Sequence, residues 1–220
     1  MTTEGDVVAG RPGDCQDDRR ADPGEPTTPF AAIVLAGGSA TRLGGVDKAA
    51  VRVAGRTLLD RVLAACVLAC QVVVVGTPRP TARSVHWTLE QPAGGGPLAG
   101  LGAGLAVLAP SPRVVVVLAT DLPYLTARDV DRLIEALPGH DAAVFTDRDG
   151  RVQPLAAAYL VSSLTRAVGR VGGLRDQPVR RALRGLRSVT VPDLGAARDC
   201  DTPVEVADAS RDLTEREPVR

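Results

Sequence analysis

Two strong cations stand in a glycine-rich stretch that directly follows an apolar run: LAGGSATRLGGVDK, from Leu35 to Lys48. Without a Cβ in the way, the backbone at Gly37 and Gly38 can approach a ligand closely. Successive N–H groups of this kind can cradle phosphate oxygens. Arg42 can grip oxygens in a planar fork, while Lys48 acts as a mobile point charge. Together they can neutralise a triphosphate or a departing pyrophosphate. The spacing is neither the GxGxxG dinucleotide fingerprint nor the GxxxxGK[ST] phosphate loop. Taken singly, the glycines also suit a tight turn and the cations an ordinary charged surface, so the information lies in the combination.

Acidic residues supply the complementary chemistry. Asp121 sits in LATDLPYL, just beyond an apolar run. A carboxylate there is costly unless it is paired, hydrogen-bonded or metal-bound. Mg²⁺ takes hard oxygen ligands of this sort and usually keeps substrate phosphates in its shell. The alternative is an Asp that accepts backbone hydrogen bonds in the turn before Pro123. A second cluster, Asp199-Cys200-Asp201, precedes Thr202-Pro203. Asp201 can serve as a further metal contact, or Asp201 or Thr202 can cap a helix. No Ser-His-Asp or Cys-His arrangement stands out, and His86 and His140 read as structural or exposed.

The pattern of elements places these segments together. Apolar, β-rich runs predict strands at Phe30–Ala36, Gln71–Val75, Arg113–Ala119 and Ala142–Thr146, with shorter ones at Val51–Val53, Ser84–Thr88, Val152–Leu155 and Ser188–Val191. Helical spacing predicts Leu58–Ala69, a helix from Pro97 to about Leu108, one from Thr126 to near Leu137, a partly helical Ala156–Gly169, Val179–Gly185 and Pro203–Ala209. Thr126 with Asp129 three residues on resembles a capping box, and Pro97 suits a first helical turn. Strands alternating with helices and apolar on both faces predict an α/β fold with a mainly parallel sheet flanked by helices. In such sheets ligands sit beyond the carboxyl ends of the strands. The glycine loop, the GGGPLAG segment and Asp121 can then converge on one edge.

Composition bounds the function classes. Formal net charge is zero, and aromatic residues make up only 2% of the 220. So few stacking surfaces argue against a broad single-strand nucleic-acid platform. Residues 1–28 hold seven acidic and three basic side chains, whereas residues 29–207 hold fifteen and twenty. The mildly positive remainder could help attract a phosphorylated substrate. Composition predicts a disordered acidic tail over 1–28, one domain over 29–208 and a flexible tail over 209–220. Cys66 and Cys70 read as buried free thiols on one helix face. The apolar runs are too short to span a bilayer and the start does not read as a signal peptide, so a cytoplasmic protein with no membrane or nucleic-acid partner is expected.

The motifs, in order, resemble the molybdenum cofactor guanylyltransferase family, within the Rossmann-like nucleotidyltransferases. The matching pieces are LAGGSATRLGGVDKA, GPLAGLGAGL, ATDLPYL, Gln153-Pro154-Leu155 followed by Tyr159, and DCDTPVEVADA. They span roughly residues 31 to 209. The loop departs from the common frame, since Ser39 and Arg42 enclose two residues, and Asp199 and Asp201 stand where asparagines are frequent. The resemblance implies a Rossmann-like nucleotidyltransferase fold that transfers GMP from GTP to molybdenum-loaded molybdopterin. It implies nucleotide contacts from Leu35, Ala36, Gly37, Gly38 and Lys48, and from Gly96, Pro97, Leu98, Ala99 and Gly100 around the base or ribose. Arg42 would stabilise the departing pyrophosphate. Asp121, with Asp201 as a second acidic contact, would hold Mg²⁺, and Gln153 lies in the half expected to meet the acceptor. A molybdoenzyme or cofactor-delivery protein would be a partner. A CTP-dependent relative, another small-molecule nucleotidyltransferase, or a nucleotide-sensing or scaffold protein remain as alternatives at this point.

Overall fold

The computed structural model describes residues 28–37, 39–40, 46–147 and 149–216. The glycine loop is therefore described only in part, and Gly38 and Arg42 lie outside the described residues, as does the acidic segment 1–27. Strands β1 (Phe30–Leu35), β6 (Gln71–Val75), β7 (His86–Thr88), β8 (Val114–Ala119), β9 (Ala142–Thr146), β10 (Val152–Leu160) and β11 (Ser188–Pro192) form a seven-stranded sheet in the order β11-β9-β10-β8-β1-β6-β7. The remaining strands are two small hairpins, β2 (Ser39–Ala40) with β3 (Val46–Asp47), and β4 (Arg52–Val53) with β5 (Arg56–Thr57). The helices are α1 (Leu58–Ala65), α2 (Pro97–Ala106), α3 (Ala127–Ala136), α4 (Val161–Gly169), α5 (Val179–Ala182) and α6 (Pro203–Arg216).

The expected mainly parallel sheet is present, with one reversal. β10 runs antiparallel to both β8 and β9, and every other pairing in the sheet is parallel. Six strands therefore end at one edge, where the β9–β10 connection also lies. From β1 the chain moves to β6 and β7 on one side, then returns to β8 on the other. The crevice between the carboxyl ends of β1 and β8 is thus the topological switch point, where open α/β sheets bind ligands.

Alternation along the central strands builds two cores. Ala32 and Val34 of β1 and Val116 and Leu118 of β8 face α1 and α3, packing with Leu59, Val62 and Leu133. Ala31, Ile33, Val115 and Val117 face the opposite layer with Leu98, Leu101 and Leu164. Period-two patterning buried on both faces explains why these strands read as continuous apolar runs. A third cluster, Val53, Leu58, Cys200, Ala209 and Leu213, lies under α6.

Several boundaries move. The segment Ala156–Leu160 is strand, not helix, so β10 is longer than its alanines suggest. Alanine has high helix propensity, but residues 156–158 pair with β8 and face both cores, where small side chains fit between neighbouring strands. α1 stops at Ala65, where Cys66 caps it by donating its N–H to Leu63 O. Cys66 is buried as expected, but Cys70 is exposed beyond the turn. α2 and α5 also end earlier than predicted, at Ala106 and Ala182. α6 runs on to Arg216, with Ala209 and Leu213 buried against Val53 and Leu58. Residues 209–216 therefore belong to the folded domain instead of a flexible tail. Among the described residues no helix is long and apolar enough to cross a membrane.

Candidate active site

Lys48 reaches its position through a local device. Asp47 caps a short 3₁₀ turn over Lys48–Ala50 by accepting the Ala49 N–H at 3.2 Å, and Ala49 is buried. Arg79, itself bonded to Thr77 O, forms an ion pair with Asp47. With its neighbours pinned on both sides, Lys48 projects toward the end of β8. There its Nζ donates to Asp121 Oδ2 at 2.8 Å and also to Asp201 Oδ1.

The two carboxylates arrive from distant parts of the chain. Asp121 lies just past β8, after Thr120, as the sequence pattern predicts. Asp201 is placed by two bonds outside its side chain. The Cys200 N–H donates to Asp121 O at 3.1 Å, tying the segment before α6 to the end of β8. Glu205 then accepts the N–H groups of Asp201 and Thr202 at 2.8 Å each, while Thr202 Oγ1 accepts the Glu205 N–H at 3.3 Å. This is the reciprocal capping box of a T-x-x-E sequence. Thr202 and Glu205 do the capping, which leaves the Asp201 carboxylate for Lys48. Glu205 was missing from the sequence-based site, although Thr202-Pro203-Val204-Glu205 carries the pattern.

Electrostatics follow from this geometry. Burial alone would pull the Lys48 ammonium toward neutrality, but the hydrogen bonds and charges of Asp121 and Asp201 together outweigh it and hold its pKa above the ordinary value. Asp199 titrates above the usual carboxylate range, because it is partly buried and faces the charges of Asp201 and Asp121. The backbone N–H of Asp201 and the Thr202 side chain, in that order, draw Glu205 below it. Cys200 is pushed up to about 11, first by burial, so it stays a thiol. Among the described residues, no group of three or more His, Cys, Asp or Glu side chains is placed to hold a metal. The donor set nevertheless fits Mg²⁺ of the nucleotide-bound kind. Two carboxylates converge on one cation here, and such sites use one or two carboxylates with phosphates and water completing the shell.

The other predicted contacts fall around the same edge. Leu35 and Ala36 are buried, and Gly37 is exposed at the mouth of the crevice. Among the described residues, a Cβ on Gly37 would meet nothing closer than Val75 O at 4.0 Å, so their packing does not demand glycine there. Gly76 differs, since a Cβ on it would lie 3.0 Å from the Ala36 carbonyl. Gly96 sits at φ +83° just before α2, whose first turn is formed by Pro97. Leu98 is fully buried in the core and Gly100 packs against Val75 and Leu35, so from these two only backbone can meet a ligand. Ala99 faces outward and, with Gly95, Glu90, Leu174 and Arg175, lines a cleft of about 390 Å³.

Gln153 also lies at this edge, because β10 starts there. Its Nε2 donates to Asp147 Oδ2 at 3.4 Å. The pairing of β10 with β9 shifts register between Gln153 and Ala157. Tyr159, buried in the core, donates its hydroxyl to Pro154 O at 2.8 Å inside that irregularity. The Q-P-L-x-x-x-Y spacing therefore has a structural basis: the tyrosine pins the bulge that presents Gln153.

A switch-point crevice bordered by Gly37, a lysine and two carboxylates suits transfer chemistry at phosphorus. The chain matches the MobA-like NTP transferase domain over residues 32–191 and belongs to that family. It is thus a nucleotidyltransferase acting on a small molecule. A protein of Opitutus terrae described as a probable molybdenum cofactor guanylyltransferase is 37% identical over 147 residues, which cover 64% of this chain and 72% of that one. Among solved structures, molybdopterin-guanine dinucleotide biosynthesis protein A from Archaeoglobus fulgidus aligns with a TM-score of 0.67 at 22% identity, covering 84% of this chain and 99% of that one. The 2-C-methyl-D-erythritol 4-phosphate cytidylyltransferase of Thermus thermophilus aligns with a TM-score of 0.65 at 21% identity, over 82% and 97% of the two chains. The two structures share the fold.

Proposed function

We propose that this chain transfers GMP from GTP to molybdenum-loaded molybdopterin, producing the guanine dinucleotide cofactor and pyrophosphate. The observation that carries the reading is the convergence of Lys48, Asp121 and Asp201 at the switch-point edge. The resemblance to guanylyltransferases, by sequence motifs and by the 37% identical relative, supports the choice of nucleotide and acceptor.

In this reaction an oxygen of the acceptor's terminal phosphate bonds to the α-phosphorus of GTP. The bond from that phosphorus to the bridging oxygen breaks, and pyrophosphate departs with the electron pair. The attacking phosphate is already anionic, so the protein needs no strong general base and no covalent nucleophile. Its tasks are alignment and charge stabilisation. Gly37 offers close backbone approach to the phosphates, and Lys48 meets the charge that gathers on the leaving group. Asp121 and Asp201 would hold Mg²⁺, which when bound neutralises phosphate oxygens. Gln153, presented at the same edge, would face the acceptor.

Pyrophosphate release should be measured with each of the four nucleoside triphosphates, Mg²⁺ and molybdenum-loaded molybdopterin, with products identified by mass. GTP-dependent release together with a guanylylated pterin is the expected result. Turnover with CTP alone would replace the nucleotide assignment, and release that does not require the pterin would replace the acceptor.

A further inference from the structure

One ammonium occupies the point on which two carboxylates converge. Lys48 Nζ bonds both Asp121 Oδ2, at 2.8 Å, and Asp201 Oδ1. The Lys48 side chain is 17% exposed, against 24% for Asp121 and 37% for Asp201, so the ion pairs are partly shielded from water. A divalent cation held by these same two oxygens would compete with the ammonium for them, and the two cations would repel each other. Lysine and metal are therefore competitors for this pair of oxygens.

We propose that Lys48 is a built-in counter-ion of the metal site: it holds Asp121 and Asp201 together before metal binds, Mg²⁺ displaces its ammonium from between them, and the freed ammonium moves to the phosphates of the nucleotide. This rests on reading the edge as a Mg²⁺-nucleotide site.

Three features make the exchange workable. Two unpaired carboxylates facing one point would repel, so an internal cation keeps them converged. The Lys48 backbone is held by the Asp47 cap and by buried Ala49, while the side chain is a flexible four-carbon stem that can swing from a fixed base. Exposed Gly37 lies at the same edge of the sheet, where bound phosphates would give the ammonium a destination. Metal and nucleotide then assist one another. Metal releases the lysine for phosphate binding, and phosphate gives the displaced lysine a partner. By linkage, each must tighten the other by the same factor.

The test is binding of Mn²⁺ alone, without nucleotide, followed by electron paramagnetic resonance of the free ion. The wild-type chain would be compared with Lys48→Met, Lys48→Arg and Asp121→Asn. Removing the internal competitor should tighten Mn²⁺ binding by about tenfold, near the upper range for two partly exposed ion pairs. Lys48→Arg, which keeps the charge, should bind Mn²⁺ within a few-fold of wild type, and Asp121→Asn should lose the site. Added Mn²⁺ should also raise the melting temperature of Lys48→Met more than that of wild type. Equal or weaker binding by Lys48→Met, while Asp121→Asn still loses the site, would overturn the counter-ion role and leave the metal reading standing. Indistinguishable binding by wild type and Asp121→Asn would overturn both. If Lys48→Met does not fold, Lys48→Gln carries the same expectation with a shorter polar side chain.

Discussion

Gly37 separates a ligand's demand from the fold's. At some glycines the fold itself leaves no room for a side chain: a Cβ on Gly76 would press on Ala36, and one on Gly102 would lie 2.6 Å from Leu174 Cδ1. Gly37 meets no such crowding from the described residues, and no positive φ forbids a side chain there. If it serves phosphate approach, Gly37→Ala should keep the wild-type melting temperature within about 2 °C. GTP affinity should fall by about tenfold or more, because a methyl hinders close approach of a phosphate to the backbone there. Calorimetric titration with Mg²⁺-GTP beside a thermal melt checks both halves. Unchanged affinity would remove Gly37 from the nucleotide site. Tyr159 carries the opposite lesson. It belongs to a family-like motif, yet its contacts are those of a buried anchor for β10.

At the scale of elements, the close approach of α2 to the sheet sets where the α2 N-terminus stands. Gly100 and Gly104 lie one helical turn apart and both face β1 and β6. A Cβ on Gly104 would come within 2.7 Å of Ile33 Cγ2 and 3.2 Å of Val75 Cγ2. The glycines of GPLAGLGAGL thus do packing work as well as any ligand work. Gly104→Ala should destabilise by about 1–3 kcal/mol through overpacking, despite the better helix propensity of alanine. For a chain of this size that corresponds to a fall in melting temperature of roughly 2–12 °C. A rise would mean that Ile33 can move aside without strain. The α6 capping box shows the same coupling of element to site, since a helix start built by Thr202 and Glu205 sets Asp201 beside Lys48.

Across the whole molecule, one carboxylate links three elements at the edge opposite the site. Asp141 accepts Ser163 Oγ at 2.7 Å and the Arg187 N–H at 3.0 Å, joining the starts of β9, α4 and β11. These bonds, led by the Arg187 backbone, hold its pKa below the ordinary carboxylate value. A depressed folded-state pKa stabilises above the unfolded value, about 4, and the stabilisation is lost as pH falls through the folded one. The melting-temperature gap between wild type and Asp141→Asn should therefore be constant from pH 7 to about 5 and close below about 4. A gap that persists unchanged to pH 3 would show that the carboxylate charge is not what joins these elements.

Sequence alone determined the features that rest on local patterning. The apolar runs of β1, β6 and β8 marked a doubly buried sheet, Thr126 with Asp129 marked a helix start that the capping box bears out, and Asp121 beyond β8 marked a costly carboxylate with a reason to be there. Lys48 was legible as a loop cation, but its partners were not. Only the tertiary structure brought Asp201 to it, because that meeting depends on a backbone bond from Cys200 to Asp121 and on a cap made by Glu205. Tertiary context also decided against local propensity at Ala156–Leu160, where two neighbouring strands outweighed the helical preference of alanine. It likewise carried α6 beyond Ala209, since Leu213 finds its apolar partners only once β4 and α1 are folded beside it. Local order is encoded within a few residues of where it appears, whereas a site assembled from distant segments exists only when long-range packing and hydrogen bonds supply the missing neighbours.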